Sequence, residues 1–285
     1  MKLLNGKELA DKTKEQIKNV IEKMAEKNQN VCLAVIQVGD NSASSVYVRN
    51  KEKACEYVGI ESKIYKFAEN TSEETIIGMI EELNNDKNVN GILVQLPLPK
   101  HIDENKVIQA ITPEKDVDGF HEVNVGKLML GEDTFIPCTT RGIIELLFKN
   151  NIDISGKNCV VVGRSNIVGK PTAMALLHNN GTVTICHSKT NGLKKICREA
   201  DILVCAIGKP KFFNKDYISP NTVVIDVGIH RQADGTLCGD VDFEDVKDIV
   251  SAITPVPNGV GAMTVAMLMH NCIQAAQMQY KNYNV

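Results

Sequence analysis

The stretch CVVVGRSNIVGKPTAMALL, from Cys159 to Leu177, decides the fold of the second half of the chain. Its apolar run predicts a buried strand, and the turn Gly163–Gly169 leads from that strand towards a helix. Pro171 stands where the first helical position is expected, and Asn179-Asn180-Gly181 is the expected stop. This order predicts a dinucleotide site, because a helix N-terminus offers free N–H groups to a pyrophosphate. The turn has the form G-x-S-x-x-x-G rather than G-x-G-x-x-G, so a tight turn that binds nothing is the alternative.

Three further apolar stretches continue the alternation of strands and helices. They are TVTICH (Thr182–His187), DILVCAIG (Asp201–Gly208) and TVVIDVG (Thr222–Gly228). Together with NCVVVG (Asn158–Gly163) they predict a doubly wound, Rossmann-like half. A helix from about Thr140 to Asn150 is expected to link this half to the first.

The first half shows the same alternation. Helices are expected from Glu8 to about Lys27, from about Ser44 to Tyr57, and from Thr71 onwards. Strands are expected over Val31–Gly39, Ser62–Phe67 and Asn90–Pro99. This pattern predicts an α/β fold with a parallel or mostly parallel sheet. The segment from about Asp116 to Thr139 is rich in Gly, Asp and Pro without periodicity, and it predicts loops at a domain junction.

Composition limits the classes of function. The chain has 285 residues, enough for about two domains, and a net charge of -3, which argues against a surface for nucleic acid. Its 9 cysteines are scattered singly and predict reduced thiols in the cytoplasm. There is no Cys/His cluster of metal-ligand spacing, so no metal is expected. No apolar run reaches about 18 residues, so no membrane contact is expected.

The residues after the second strand of this half indicate which dinucleotide binds. An acidic residue there would hold the ribose 2′-OH of NAD, but the sequence has His187-Ser188-Lys189-Thr190. Ser188 can donate a hydrogen bond to a 2′-phosphate, and Arg164 or Lys189 can supply positive charge. We therefore expect NADP rather than NAD. Ordinary solvated loop residues are the alternative.

Four polar residues of the first half are candidates for chemistry. Tyr47 and Lys51 are four apart and share one face of a predicted helix, so a ring that stacks on a heterocycle could stand beside a reactive amine. An ordinary surface pair is the alternative. Gln95 lies within the predicted strand, near its C-terminal end, where ligands of open α/β sheets bind. It is either a satisfied structural polar group or a residue that holds a catalytic side chain. Asp118, in DVDGFH, belongs either to a site or to an Asx turn.

Seven segments occur in the order of one enzyme family: VGDNSASSVYVRNKEKACEYVGI, GILVQLPLP, DVDGFH, PCTTRG, VVGRSNIVGKP, CHSKT and TPVPNGVGAMT. The chain resembles the bifunctional methylenetetrahydrofolate dehydrogenases/methenyltetrahydrofolate cyclohydrolases over essentially its whole length. The resemblance implies oxidation of 5,10-methylenetetrahydrofolate by NADP⁺ and hydrolysis of the product to 10-formyltetrahydrofolate, in one cleft. The alternatives are another two-domain NADP dehydrogenase, of shikimate-like type, and a non-catalytic NADP-binding regulator.

The resemblance also implies roles for individual residues. Lys51 would act in hydrolysis, Tyr47 would stack on the folate, Gln95 would orient Lys51, and Asp118 would bind the pterin edge. The remaining folate contacts would be Val94, Leu96, Pro257, Gly259, Val260 and Gly261. The NADP contacts would be Gly163, Arg164, Ser165, Ser188 and Ile229.

The resemblance further implies the domains. A folate-binding catalytic domain would cover residues 1–138 and be completed by a returning helix over residues 264–285. An NADP-binding domain would cover residues 139–263, with the cleft between the two domains, and the chain would form a homodimer. The sequence departs from the family at Ser42, Thr140, Asn258 and Ala262. Asn258 matters most, because Asn tolerates a positive φ less readily than Gly.

Overall fold

The structure is a computed structural model, described here for residues 1–283 without the side chains of residues 42, 43, 282 and 283. The side chain of Ser42 and the last two residues of the predicted returning helix therefore lie outside the described residues. Two compact units divide the chain. The large-sheet unit comprises residues 1–11, 128–132 and 137–264, and the small-sheet unit comprises residues 12–127, 133–136 and 265–283.

Strands and helices alternate through most of the chain. The strands are β1 (Lys2–Leu3), β2 (Cys32–Val38), β3 (Glu61–Phe67), β4 (Gly91–Val94), β5 (Asn158–Val162), β6 (Thr182–Cys186), β7 (Ile202–Cys205), β8 (Val223–Asp226), β9 (His230–Arg231), β10 (Leu237–Cys238) and β11 (Ala252–Ile253). The α-helices are α1 (Gly6–Ala25), α2 (Ser42–Val58), α3 (Glu73–Asn85), α4 (Glu104–Ala110), α5 (Glu122–Leu130), α6 (Cys138–Lys149), α7 (Gly169–His178), α8 (Leu193–Arg198), α9 (Phe243–Val246) and α10 (Val260–Tyr283). A single 3₁₀ turn spans Lys215–Tyr217.

The small-sheet unit is built on a three-stranded parallel sheet in the order β3-β2-β4. All residues of the central strand β2 are buried, as its nearly continuous apolar run predicts. Helices α3 and α4 pack on this sheet through Ile76, Ile80 and Val107. Ser72 caps α3 by accepting the backbone N–H of Thr75 at 3.3 Å, which agrees with the helix start predicted there.

The strand predicted over Asn90–Pro99 is shorter in the structure. β4 ends at Val94, and the last ladder bond runs from the backbone N–H of Gln95 to the carbonyl of Ile36 at 2.8 Å. Pro97 follows and has no N–H to donate, so pairing cannot continue through it. Gln95 therefore stands just beyond the strand rather than inside it.

The prediction of loops from Asp116 to Thr139 is wrong over α5, which occupies Glu122–Leu130. Its pattern is the reverse of a typical amphipathic helix, because Met129 and Leu130 are 61% and 73% exposed while Asn124 is buried. Gly126 also lowers the helix propensity of this segment. A search for apolar periodicity therefore misses the helix.

The large-sheet unit is built on a six-stranded parallel sheet in the order β1-β11-β8-β7-β5-β6. The four predicted strands of this half are present as β5, β6, β7 and β8. β1 and β11 were not predicted, because two-residue strands carry no periodicity. Because β1 pairs with β11, residues 1–11 belong to the large-sheet unit. The sequence analysis expected them in the first domain, over residues 1–138.

The last helix, α10, begins in the large-sheet unit and continues into the small-sheet unit after Thr264. Within the small-sheet unit its Asn271 side chain donates to the carbonyls of Val117 and Ile136 at 2.8 and 3.1 Å. No helix within residues 1–283 combines the length and apolar character needed to cross a bilayer.

Candidate active site

Lys51 and Gln95 meet at one edge of the small-sheet unit. The Lys51 Nζ donates a hydrogen bond to the Gln95 Oε1 at 3.0 Å, and Gln95 directly follows β4. Tyr47 lies one turn before Lys51 on α2 and is 36% exposed, and partial burial raises the pKa of its phenol. The structure thus brings an amine against an amide, with a partly open ring beside the amine.

The orientation of the Gln95 amide is fixed by a second hydrogen bond. Its Nε2 donates to the carbonyl of Leu96 at 2.7 Å, which leaves the Oε1 to accept from Lys51. Val94 is buried in the core of the small-sheet unit, and the half-buried Leu96 packs against that core. Because both ends of the Gln95 amide are hydrogen-bonded, the Lys51 amine has an acceptor in a fixed position. The lysine side chain is thereby held in one orientation, unlike a lysine that is free in solvent.

Gln37 positions the first turn of the same helix, α2, and the sequence analysis did not identify it. This buried side chain at the end of β2 donates to the Ser45 Oγ at 2.9 Å and to the carbonyl of Gly39 at 3.2 Å. Asn41 accepts the backbone N–H of Ser44 at 3.2 Å. A glutamine within an apolar strand was the signal that singled out Gln95, and the same signal was available for Gln37.

Asp118 lies in a turn that follows a segment paired with β4. The segment before it adds to β4, since the backbone N–H of Ile92 donates to the Lys115 carbonyl at 2.8 Å and Ile92 forms a parallel bridge with Asp116. The chain turns directly after this bridge, because the backbone N–H of Gly119 donates to the Asp116 carbonyl at 3.1 Å. The half-buried Asp118 therefore lies in the turn that follows the segment bridged to β4.

A buried polar network holds the segment that carries Asp118. The Asp116 carboxylate accepts the His121 backbone N–H and the Asn124 Nδ2, both at 2.8 Å, and burial raises its pKa. The Thr134 Oγ1 donates to the Asn124 Oδ1 at 2.9 Å. Sequence reasoning missed the partners of Asp116, because they lie directly before α5 and on α5, a helix that was not predicted.

The turn after β5 requires glycine at two positions. Gly163 has a φ of +139°, and a Cβ there would collide with the carbonyl oxygen of Ala206. A Cβ on Gly169 would collide with the carbonyl oxygen of Gly163. Strand, close turn and helix are thus present as predicted, and the turn is a cradle that any side chain at these two positions would fill.

The helix after this turn begins differently from the prediction. α7 starts at Gly169, so Pro171 is its third residue, still within the first turn where no intrahelical acceptor is needed. The Ser165 Oγ accepts the backbone N–H groups of Val168 and Gly169 at 3.2 and 3.3 Å. At the C-terminal end, Asn180 rather than a glycine takes the left-handed conformation, with a φ of +63°.

The other predicted dinucleotide contacts lie at loops after strands. Arg164, Ser188 and Lys189 are exposed, and the turn after β6 is closed by the His187 backbone N–H, which donates to the Thr190 Oγ1 at 2.9 Å. No carboxylate stands between Cys186 and Thr190. The end of β6 therefore combines a hydroxyl with positive charge, as a 2′-phosphate would require.

The loop Pro257–Gly261 is tightly constrained within the large-sheet unit. Asn258 has a φ of +76°, so asparagine replaces the family's glycine at a position where the backbone does adopt a positive φ. The Asn258 carbonyl accepts the Lys7 backbone N–H at 3.0 Å. A Cβ on Gly261 would lie 2.8 Å from the Ile229 Cδ1. A predicted folate contact and a predicted dinucleotide contact are thus direct neighbours. Val260, by contrast, is buried in the core.

Comparison with known proteins gives these two units a family. Residues 4–118 match the tetrahydrofolate dehydrogenase/cyclohydrolase catalytic domain, and residues 137–280 match the NAD(P)-binding domain of the same family. The chain is 59% identical to the Bifunctional protein FolD of Agathobacter rectalis, over 96% of this chain and 98% of that protein. The chain belongs to the tetrahydrofolate dehydrogenase/cyclohydrolase family.

Two solved structures of this family share its fold. The bifunctional FolD methylenetetrahydrofolate dehydrogenase/cyclohydrolase of Campylobacter jejuni is 46% identical with a TM-score of 0.96, covering 98% of this chain and 99% of that chain. The Trypanosoma brucei enzyme, complexed with NADP cofactor and inhibitor, is 33% identical with a TM-score of 0.93, covering 97% of each chain. The predicted two-domain α/β fold and the bifunctional folate enzyme with a nicotinamide cofactor are confirmed, in preference to a shikimate-like dehydrogenase or a regulator.

The glycine cradle makes a direct prediction. Gly163→Ala should lower the free energy of unfolding by about 2 kcal/mol or more, because the new Cβ meets a carbonyl and the backbone region is unfavourable for alanine. Dinucleotide binding should weaken as well. The control is Gly126→Ala in α5, where a Cβ meets no atom within 4 Å and a gain of up to about 1 kcal/mol is expected. Equal unfolding free energies for Gly163→Ala and the wild type in urea titrations would contradict the close approach.

Proposed function

We propose that the chain oxidises 5,10-methylenetetrahydrofolate with NADP⁺ and hydrolyses the resulting 5,10-methenyltetrahydrofolate to 10-formyltetrahydrofolate, with Lys51 acting in the hydrolysis. The observation that carries this proposal is the hydrogen bond of 3.0 Å between Lys51 and Gln95, directly after the carboxyl end of β4. The small-sheet unit, corresponding to the domain expected over residues 1–138 and 264–285, would supply the folate chemistry. The domain expected over residues 139–263 would bind the dinucleotide.

In the hydrolytic step, a water oxygen forms a bond to the methenyl carbon that bridges two nitrogens of the folate. The Lys51 amine accepts a proton from that water. One of the two carbon–nitrogen bonds then breaks, and the protonated amine returns a proton to the nitrogen that leaves. The net reaction consumes one water and releases one proton, and the carbon remains as a formyl group. Gln95 keeps the amine in place throughout.

Tyr47 and Asp118 would bind the substrate rather than transfer protons. An aromatic ring one turn from Lys51 can stack on the flat pterin, and its partial exposure leaves a face available. The Asp118 carboxylate accepts hydrogen bonds from N–H groups at the pterin edge, which fixes the orientation of the ring. Val94, Leu96 and the loop Pro257–Gly261 would add further folate contacts.

The dinucleotide would be held by the turn Gly163–Ser165, by Ser188 and by Ile229. When bound, NADP⁺ supplies the hydride acceptor, and the chain supplies position and charge. Preference for NADP over NAD is supported by Arg164, Ser188 and Lys189 and by the lack of a carboxylate at the end of β6. The same three residues would be ordinary solvated groups if NAD were the natural cofactor.

A homodimer is also proposed. β6 is an edge strand of its sheet, and several apolar side chains on neighbouring elements of the large-sheet unit are exposed, namely Leu130, Phe148, Leu177 and Ile185. The segment with Leu130 contacts α7, where the His178 Nε2 lies 2.7 Å from the Leu128 carbonyl oxygen. An unpaired edge with apolar neighbours is suited to pairing with a second copy.

The nine buried thiols support a cytoplasmic location, which fractionation of cells would test.

The proposed role of Lys51 is tested by Lys51→Met. Loss of a proton-transfer group should reduce hydrolysis of methenyltetrahydrofolate by about 10²- to 10⁴-fold, measured from the decay of its absorbance. The control is Lys53→Met, an exposed lysine on the same helix, which should retain the wild-type rate. Normal hydrolysis by a folded Lys51→Met variant would remove Lys51 from the chemistry. Absence of methylenetetrahydrofolate-dependent NADP⁺ reduction by the wild type would remove the substrate assignment.

Choice of cofactor is tested by Arg164→Ala. Loss of a charged donor to a 2′-phosphate corresponds to about 1.5–3 kcal/mol, so KM for NADP⁺ should rise by about 10- to 100-fold while KM for NAD⁺ stays constant. Lys149→Ala makes the same charge change before the amino end of β5 and should alter neither constant. A parallel rise in both KM values would mean that Arg164 does not recognise the 2′-phosphate.

The dimer surface is tested by Ile185→Lys. A charge on the exposed face of an edge strand opposes edge-to-edge pairing, so the mass in solution should fall from twice the 31.3 kDa chain mass to one chain mass. Light scattering coupled to gel filtration measures this directly. The control is Val20→Lys, which makes the same kind of exchange at an exposed apolar residue of α1 in the small-sheet unit and should leave the mass at two chains. A wild type that is monomeric at micromolar concentration contradicts the dimer.

A further inference from the structure

The Asp240 carboxylate occupies an unusual position in the large-sheet unit. It is fully buried and accepts the backbone N–H groups of Ile207, Gly208 and Lys209 at 2.7, 3.0 and 2.8 Å. The His230 Nε2 lies 2.8 Å from its Oδ1. Three successive N–H groups converging on one anion form a nest, the kind of backbone concavity that elsewhere binds phosphate. Here the chain fills the nest with its own carboxylate.

A second carboxylate supports the first. Asp226, the last residue of β8, accepts the backbone N–H groups of Gly228, Asp240 and Val241 at 3.0, 2.9 and 3.0 Å. Burial raises the pKa of Asp226 to about 7. A Cβ on Gly228 would collide with the Asp240 carboxylate, so a glycine is required there for the two segments to approach. The backbone of Asp240 is therefore fixed by its hydrogen bond to Asp226, independently of the contacts that the Asp240 side chain makes.

The hairpin of β9 and β10 explains how these residues meet. β9 begins with His230, and the antiparallel pairing of Cys238 with His230 returns the chain so that Asp240 reaches the loops after β7 and β8. Both loops leave the carboxyl edge of the parallel sheet, where open α/β sheets bind their ligands. Ile229, a proposed dinucleotide contact, lies between Gly228 and His230. The cluster thus reaches both loops without itself having to touch the cofactor.

We propose that Asp240 and His230 are positioning residues for the dinucleotide: their contact ties the loop after β7 to the loop that carries Ile229. Asp240 collects the N–H groups of Ile207–Lys209, and His230 fixes the chain directly after Ile229. A ligand that contacts Ile229 then meets a surface already in its binding conformation and loses less free energy in ordering it. This inference rests on the proposed function, because it concerns binding of the proposed cofactor.

The bifunctional reaction provides the test. Hydrolysis of methenyltetrahydrofolate needs no hydride acceptor, so it can be measured without dinucleotide and compared with NADP⁺-dependent oxidation. His230→Leu removes the donor to Asp240, whereas His230→Gln keeps an N–H donor on a side chain of similar reach. In the leucine variant KM for NADP⁺ and the calorimetric Kd should rise at least about tenfold, while hydrolysis changes less than about twofold. The glutamine variant should recover KM to within about threefold of the wild type.

Other outcomes overturn the inference. Equal losses in oxidation and hydrolysis, without recovery by glutamine, would mean that His230 serves only stability. Wild-type KM and Kd in the leucine variant would mean that the pair has no effect on the cofactor. His101→Leu, which removes an exposed histidine of the small-sheet unit, is the control and should leave both constants unchanged. Failure of the wild type itself to bind NADP⁺ in calorimetry would instead refute the proposed function.

Discussion

Polar groups at the ends of buried parallel strands are shielded from water, so they must form hydrogen bonds within the protein. This constraint shapes both units. In the small-sheet unit the partners are amides. Gln37 at the end of β2 binds Ser45, and Gln95 after β4 binds Lys51. Helix α2 is therefore attached to the sheet at two points less than two helical turns apart. The position of Lys51 follows from these two attachments, one of which is its own hydrogen bond to Gln95.

The large-sheet unit meets the same constraint with carboxylates. An amide both donates and accepts, which suits Gln95, because it accepts from an amine and donates to a carbonyl. Carboxyl oxygens accept, which suits Asp226 and Asp240, because backbone N–H groups from several loops converge on them. The difference explains why the first arrangement leaves a reactive group at the surface, whereas the second consumes all its polar atoms in joining loops.

Sequence patterns predicted what depends on local order and missed what depends on tertiary contacts. The nearly continuous apolar runs of β2, β5 and β7 identified central strands, because a strand buried on both faces has no solvent-facing side. Helix α5 was missed since its exposed residues are apolar and its buried Asn124 is polar. For the site, Lys51 and Gln95 could be paired only through a family resemblance. Asp240 gave no signal, because its partners at Ile207–Lys209 are backbone groups, and a sequence does not display those.

The turn Gly163–Gly169 explains why a departure from the usual glycine fingerprint leaves the local fold intact. The two glycines that remain are those at which a side chain would collide with backbone, and Ser165 stands where the missing glycine would be. Ser165 uses its hydroxyl to accept the first free N–H groups of α7. A phosphate approaching this helix would thus meet a hydroxyl already held among those N–H groups, rather than bare backbone alone. Gly261 likewise has a packing reason, because the absence of a side chain there makes room for Ile229.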